Sequence, residues 1–219
     1  MLLQRCFKLV FIFALTCQFA SFHAEGKEKP QVIFVSDELA SGDNLIGASL
    51  VIEKLRQVLT NQLQFSYIKA SRKREWRELT QNNNVCLFNK IKTPVREQGA
   101  HFSSLPIQIF PPNQLIVLDN DALPPAMTIQ QAIEVYNLNI AIQAGRSYGE
   151  DTDIQLKAFT NKLTAIEGVN STDRIMRMMI NRRVDAIVEY PTVIATNLEE
   201  QGKNNILERT SAYQIQSLD

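Results

Sequence analysis

Apolar and polar positions along the chain follow two alternating spacings, and each spacing predicts one kind of element. The short β-rich run at residues 31–36 is typical of a buried strand. From Ala48 to Leu63, apolar residues recur every three or four positions, which predicts an amphipathic helix. Further strands are predicted at 65–69, 85–88, 139–143, 163–169 and 184–189, and helices at 74–79, 128–137, 151–161, from 171 onward, and 192–201. Repeated β-α-β units predict an α/β fold with largely parallel sheets.

Residues 106–118 interrupt this alternation. The segment is extended and rich in β-formers, but Pro111 and Pro112 lie in its middle. Because a proline cannot donate a hydrogen bond to a sheet, the segment suits a connection between two bodies better than one central strand. Two α/β halves joined in this way predict two lobes with a cleft between them, and ligands of such folds bind in that cleft.

The N-terminus has the pattern of a secretory signal peptide. Arg5 and Lys8 precede a run of nine apolar or uncharged residues, and small or polar residues follow up to Ala24. The run is too short for a transmembrane helix, which needs roughly 20 residues. Residues 1–24 are therefore predicted to be removed. A lipidated Cys17 is the alternative, but the residues before it match a lipobox weakly.

Charge and cysteine content exclude several classes of function for the predicted mature chain. The signal takes two basic and no acidic residues with it, which leaves 21 basic against 23 acidic residues and no basic footprint for nucleic acid. One cysteine, Cys86, and one histidine, His101, remain, so a His/Cys zinc site cannot form and no metal or cofactor is expected. The apolar neighbours of Cys86 predict a buried structural thiol.

The segment Gly145-Arg-Ser-Tyr-Gly149 matches the nucleophile elbow of hydrolases, between a predicted strand and a predicted helix. That fold needs a histidine after the serine, and none follows Ser147, so we expect no enzyme. The same turn suits a second role, because free backbone N–H groups at the start of a helix can bind an anion.

Three segments together resemble the family 3 periplasmic solute-binding proteins. Thr93-Pro-Val-Arg-Glu97, followed by Phe102-Ser-Ser-Leu-Pro106, is similar to the family's T-x-x-R and F-S-x-P pattern. Residues 140–148 resemble the strand and glycine turn that open its second lobe, and residues 183–191 resemble its late G-R-x-D-A strand. The matches occur in the family's order and cover residues 85–200. The resemblance implies a two-lobe type 2 periplasmic binding protein fold, the "Venus flytrap".

The resemblance also implies a ligand site. Arg96 would pair with a ligand carboxylate through two hydrogen bonds, Thr93 would add a hydroxyl contact, and the turn of Gly145, Ser147 and Tyr148 would bind the same anionic end. Amino-acid binders of this family place an Asp after the late strand to receive the ligand's ammonium. Tyr190 is near that position here, with Glu189 beside it. Either Glu189 substitutes for the Asp, or the ligand is not an amino acid.

Besides the missing Asp after the late strand, the chain length also departs from the family pattern. The family's chain returns to its first lobe, whereas this sequence stops at about the point where the return begins. The expected domains are a signal peptide at 1–24, an incomplete lobe one at 25–110, lobe two at 111–212 and the start of the return at 213–219. An incomplete lobe one would expose a sheet edge and apolar surface.

The expected function is the periplasmic capture of a small polar, carboxylate-bearing and amino-acid-like solute for an ABC-type transporter. The alternative is a periplasmic sensor or partner protein with the same fold and no transport role. The expected partners are the solute and a transporter permease or a sensor, without nucleic acid, and the protein is expected to be a monomer.

Overall fold

The first part of the structure is a sheet of three parallel strands with helices between them. The computed structural model describes residues 28–37, 48–119 and 122–218. The strands are β1 (Gln31–Ser36), β2 (Gln64–Lys69) and β3 (Val85–Cys86), in the order β2-β1-β3. The helices are α1 (Ala48–Leu59), α2 (Arg72–Gln81) and the single turn α3 (Pro94–Glu97). We call this part lobe one.

Lobe two follows and contains a six-stranded sheet. Its strands are β4 (Gln114–Leu118), β5 (Ala126–Met127), β6 (Ile140–Gln143), β7 (Leu163–Ile166), β8 (Ala186–Glu189) and β9 (Thr210–Ile215), in the order β5-β9-β4-β8-β6-β7. Its helices are α4 (Ile129–Glu134), α5 (Glu150–Ala158), α6 (Ser171–Ile180), α7 (Pro191–Glu200) and α8 (Asn204–Leu207). β4 is antiparallel to both its neighbours, and the other pairs are parallel. The predicted α/β fold with largely parallel sheets is confirmed.

The core of lobe two lies on both faces of its sheet. β4 explains why, since successive side chains of a strand point to opposite faces. Leu115 and Val117 pack with residues of α4 and α5, whereas Ile116 and Leu118 pack with residues of α6 and α7. A strand covered on both faces needs consecutive apolar residues, and β4 has them from Leu115 to Leu118.

Lobe one buries less. Phe34, Ile52 and Phe88 pack on one face of its sheet, and Val35, Ala70 and Val85 on the other. Apolar side chains of α1 remain in solvent, with Leu55 42% and Val58 76% exposed.

Cys86 is exposed, so the prediction of a buried thiol is wrong. The reason is its place at the sheet edge. β3 has two residues, and its first, Val85, packs into the core while Cys86 points to the opposite face. Partial burial still raises the pKa of the Cys86 thiol above its ordinary value.

The connection between the lobes is shorter than the predicted segment 106–118, because residues 114–118 form β4 in the middle of the lobe-two sheet. Pro111 and Pro112 precede this apolar run and do not interrupt its pairing. Residues 98–113 form no helix or strand, and the predicted boundary after residue 110 falls inside them. The predicted boundary after residue 212 falls inside β9 instead, where Tyr213 pairs with Leu115 and packs in the lobe-two core. Gln31–Asp219 groups into one unit. The predicted signal at 1–24 lies outside the described residues, and no helix among those described is long and apolar enough to span a membrane.

Shortening Leu115 tests the central position of β4. Leu115 is fully buried, so Leu115→Ala removes packing on the α4 side and should lower the free energy of unfolding by about 2–5 kcal/mol. Leu105→Ala is the matched control, because Leu105 is 77% exposed, and it should change stability by less than about 0.5 kcal/mol. Urea denaturation measures both, and equal losses would contradict the assigned core.

Candidate functional site

A cleft of about 1330 Å³ lies between the lobes. Its walls come from α2 and the loop after β3, from the crossover, and from the turns after β6 and β8. β6 and β8 are parallel neighbours, so their carboxyl ends open on the same side, where α/β folds bind ligands. Among the predicted ligand residues, those that line the cleft are Arg96, Gly145, Ser147, Tyr148, Glu189 and Tyr190. Thr93 is not among the lining residues.

Thr93 instead shapes the turn that carries Arg96. Its side-chain oxygen accepts a hydrogen bond from the Arg96 backbone N–H at 3.4 Å, and Pro94 occupies the first helical position. Both are typical of a helix start, because the hydroxyl offers a second acceptor to an N–H of the first turn, which also donates to the Thr93 carbonyl at 3.0 Å, and proline has no N–H to leave unpaired. The predicted T-x-x-R pattern therefore acts locally, since Thr93 and Pro94 fix the position from which Arg96 reaches the cleft.

The guanidinium of Arg96 contacts uncharged groups. Nη1 donates to the Ile91 carbonyl at 3.0 Å, Nη2 donates to the Gly145 carbonyl at 3.4 Å, and the group lies 4.7 Å from the centre of the Trp76 ring. Within the described parts of the chain, no carboxylate forms an ion pair with Arg96. Burial lowers the pKa of Arg96, and the charge of Asp153 opposes this effect. A half-buried cation without a carboxylate partner favours an anion beside it.

The turn after β6 brings the two lobes together. Gly145 has a φ of +81°, and a Cβ there would lie 3.3 Å from the Lys73 backbone nitrogen of α2. Only glycine combines this backbone conformation with so close an approach. Next to it, the Arg72 Nε donates to Gln143 Oε1 across the lobes at 3.0 Å, and Lys73 pairs with Glu167. The lobes therefore contact each other directly through α2.

The predicted anion site around Ser147 already has an internal carboxylate. The Ser147 hydroxyl donates to Asp153, and the Tyr148 backbone N–H donates to the other oxygen of Asp153 at 2.7 Å. Asp153 lies in the first turn of α5, where the positive end of the helix dipole stabilises a negative side chain. The backbone geometry predicted for an anion is thus present, but the structure differs from the prediction because the chain supplies the anion itself.

Glu189 also has its partner within the chain. Both of its oxygens pair with the guanidinium of Arg146, and it accepts further hydrogen bonds from Gln143 Nε2 at 3.0 Å and the Tyr190 N–H at 2.9 Å. It is 2% exposed. Glu189 was predicted as a possible acceptor for a ligand ammonium, but in the structure Arg146 neutralises it.

Further buried charges at the cleft were missed from the sequence. Arg72 pairs with Asp37 at 3.1 Å, and Lys90 pairs with Glu75 at 2.7 Å, while Glu75 also accepts the Asp37 backbone N–H at 2.8 Å. Asp37 follows β1 directly and Gln143 ends β6. The rule that functional residues follow parallel strands could have identified Asp37 and Gln143.

The described residues contain no cluster of His, Cys, Asp and Glu that could bind a metal ion.

Comparison with known proteins identifies the fold. No family model matches the sequence, and no curated protein matches it. Three solved structures cover 85–87% of this chain. One, from a study of glutathione import through GshT and the cystine ABC importer of Streptococcus mutans, has 14% identity, a TM-score of 0.62 and 78% of its own length covered.

The other two are described by what they bind or serve. The arginine-bound form of a truncated ArgBP from T. maritima has 12% identity, a TM-score of 0.61 and 84% of its own length covered. The substrate binding protein of an amino acid ABC transporter has 17% identity, a TM-score of 0.57 and 79% covered. The chain therefore has the two-lobe fold of periplasmic binding proteins that its resemblance to family 3 predicted.

Replacing Arg72 tests the buried charges at the junction of the lobes. Arg72→Met removes the cation that pairs with the buried Asp37 carboxylate and should lower the free energy of unfolding by about 3–5 kcal/mol. Arg74→Met, on the same helix, removes an exposed pair with Glu78 and should cost about 0.3–0.5 kcal/mol. Chemical denaturation measures both changes. A loss for Arg72→Met as small as that for Arg74→Met would show that the buried pair does not stabilise the fold.

Proposed function

We propose that this protein is a periplasmic solute-binding protein that captures a small carboxylate-bearing solute between its lobes and delivers it to an ABC-type transporter. The two-lobe fold supports this proposal, because the cleft of such a fold encloses small ligands. The secretory pattern of residues 1–24 supports export. Structurally similar proteins include the substrate binding protein of an amino acid ABC transporter.

One observation carries the choice of ligand: among the described residues, no carboxylate pairs with Arg96. Arg72, Lys90 and Arg146, the other buried or nearly buried cations at the cleft, each pair with a carboxylate of the chain. Arg96 instead donates to two backbone carbonyls and lies against Trp76. A carboxylate can replace those carbonyls with stronger bonds, because it adds a full negative charge and can accept two parallel hydrogen bonds from one guanidinium.

Capture would stabilise the closed arrangement of the lobes. Arg96 extends from α3 of lobe one, and its present acceptor, the Gly145 carbonyl, belongs to lobe two. A ligand bound at Arg96 therefore lies beside both lobes and contacts the closed state more extensively than the open one. A ligand shifts such an equilibrium by its difference in affinity for the two states, which is how binding would be signalled to a permease.

The surroundings of Ser147 favour binding over hydrolysis. Its hydroxyl donates to Asp153, which at the same time accepts the Tyr148 backbone N–H. Ser147 is also 7% exposed. A serine nucleophile needs access to a substrate and a base that is free to take its proton. In our proposal, Ser147 and Asp153 instead stabilise the turn that forms one wall of the cleft.

Calorimetric titration of the secreted chain with a panel of small carboxylates and their neutral amides tests the proposal. At least one carboxylate should bind, and its amide should not. Arg96→Met should weaken binding by about 10- to 150-fold, because a hydrogen bond to a charged group contributes about 1.5–3 kcal/mol.

Arg77→Met is the matched control, since Arg77 is an exposed arginine of α2, and it should leave binding unchanged. Carboxylate binding that survives Arg96→Met would remove Arg96 from the site. A panel without any binding carboxylate would contradict the proposed function.

A further inference from the structure

The side chain of Arg146 lies in a pocket that has the features of a guanidinium-binding site. Glu189 pairs with both terminal nitrogens, and Asn113 Oδ1 accepts a further hydrogen bond at 3.3 Å. The rings of Tyr148 and Tyr190 lie with their centres 4.9 and 5.2 Å from the guanidinium carbon. We call these four residues the Arg146 pocket. A planar cation that offers two parallel donors and stacks on aromatic rings fits such a pocket closely.

Each wall of the Arg146 pocket has support that does not depend on Arg146. Gln143 donates to Glu189 through its amide and to the Tyr148 hydroxyl through its backbone N–H at 2.7 Å. Asn113 donates to the Tyr148 carbonyl at 3.0 Å. The Tyr190 ring stacks on Phe110 of the crossover at 4.6 Å. Because these contacts remain when the arginine is shortened, the pocket should persist as a preformed cavity.

The occupied pocket changes which ligands the cleft can accept. Glu75 and Glu189 are the buried carboxylates of the cleft wall, and each is already paired with a cation of the chain. Glu150 and Asp151 also line the cleft, but they are exposed in the first turn of α5. A ligand ammonium that approached Glu189 would meet the guanidinium of Arg146 and no free carboxylate. A cation buried without a partner is costly.

We propose that Arg146 is a built-in substitute for the cationic group of a ligand. It fills a guanidinium site of the chain, and it restricts the cleft to anions that carry no ammonium or guanidinium group. The restriction of the ligand rests on the proposed function, whereas the guanidinium site does not. Arg146 is therefore a specificity-determining residue, and shortening it should open a site for a free guanidinium compound.

Chemical rescue of Arg146→Ala tests the guanidinium site. Methylguanidinium at millimolar concentration should bind the variant and raise its melting temperature progressively with concentration, as any ligand specific to the folded state does. Methylammonium lacks the planar pair of donors and should bind at least about tenfold more weakly. The unaltered chain and Arg183→Ala, in which an exposed arginine is removed, should show no such effect.

If Arg146→Ala does not fold alone, the same titration is run as refolding from urea. Methylguanidinium should then restore the folded protein, and methylammonium should not. Equal effects of the two cations, or none in either format, would overturn the guanidinium site. Rescue should also disappear in Arg146→Ala/Glu189→Gln, which lacks the carboxylate.

A second titration tests the restriction of the ligand. The unaltered chain should bind succinate or a related acid more tightly than the same acid with an α-ammonium group, such as aspartate, by about tenfold or more. Tighter binding of the ammonium-bearing acid would overturn the restriction even if methylguanidinium rescues Arg146→Ala. If no carboxylate binds at all, the proposed function fails while the rescue experiment still decides the guanidinium site.

Discussion

A charge buried in protein must be paired, and this constraint organises the whole cleft. Arg146 pairs with Glu189, Arg72 with Asp37 and Lys90 with Glu75, so most of the buried charge is balanced within the chain. Arg96 differs, because its partners are carbonyl oxygens and an aromatic ring. The proposed anion site follows from that difference.

The same contacts determine how the lobes meet. Gly145 lets the backbone of lobe two approach α2, and Arg72 then reaches Gln143 while Arg96 reaches the Gly145 carbonyl. Gln143 also donates to Glu189, so one residue connects the junction of the lobes to the Arg146 pocket. A ligand at Arg96 would therefore act directly on contacts that hold the lobes together.

The sequence predicted the fold well where a local pattern was strong. The apolar runs of β1, β6 and β8 lie where the pattern placed them. Residues 114–118, predicted as part of the connection, instead form β4, because this apolar run pairs on both of its edges with distant strands. The sequence did not predict β9, because its six residues mix polar and apolar positions. Its partner β4 lies about 95 positions away along the chain, and no local pattern specifies such a contact.

The site was only partly predictable from the sequence. The motif found Arg96, the glycine turn, Glu189 and Tyr190, but it could not show that Arg146, Asp153 and Gln143 already pair with these groups. Such partners lie up to 46 residues apart in the chain, and only the fold brings them together. Which charges are paired is a tertiary property, and the choice of ligand depends on it.

The most direct test of this account follows the arginine side chains while a carboxylate binds. A ¹⁵N-resolved NMR titration measures the arginine Nε–H signals, which are assigned through Arg96→Lys and Arg146→Lys. A binding carboxylate should shift the Arg96 signal and leave the Arg146 signal in place. A shift at Arg146 with none at Arg96 would mean that the ligand displaces the Glu189 pair, and it would contradict the central claim that Arg96 is the cation left for the ligand.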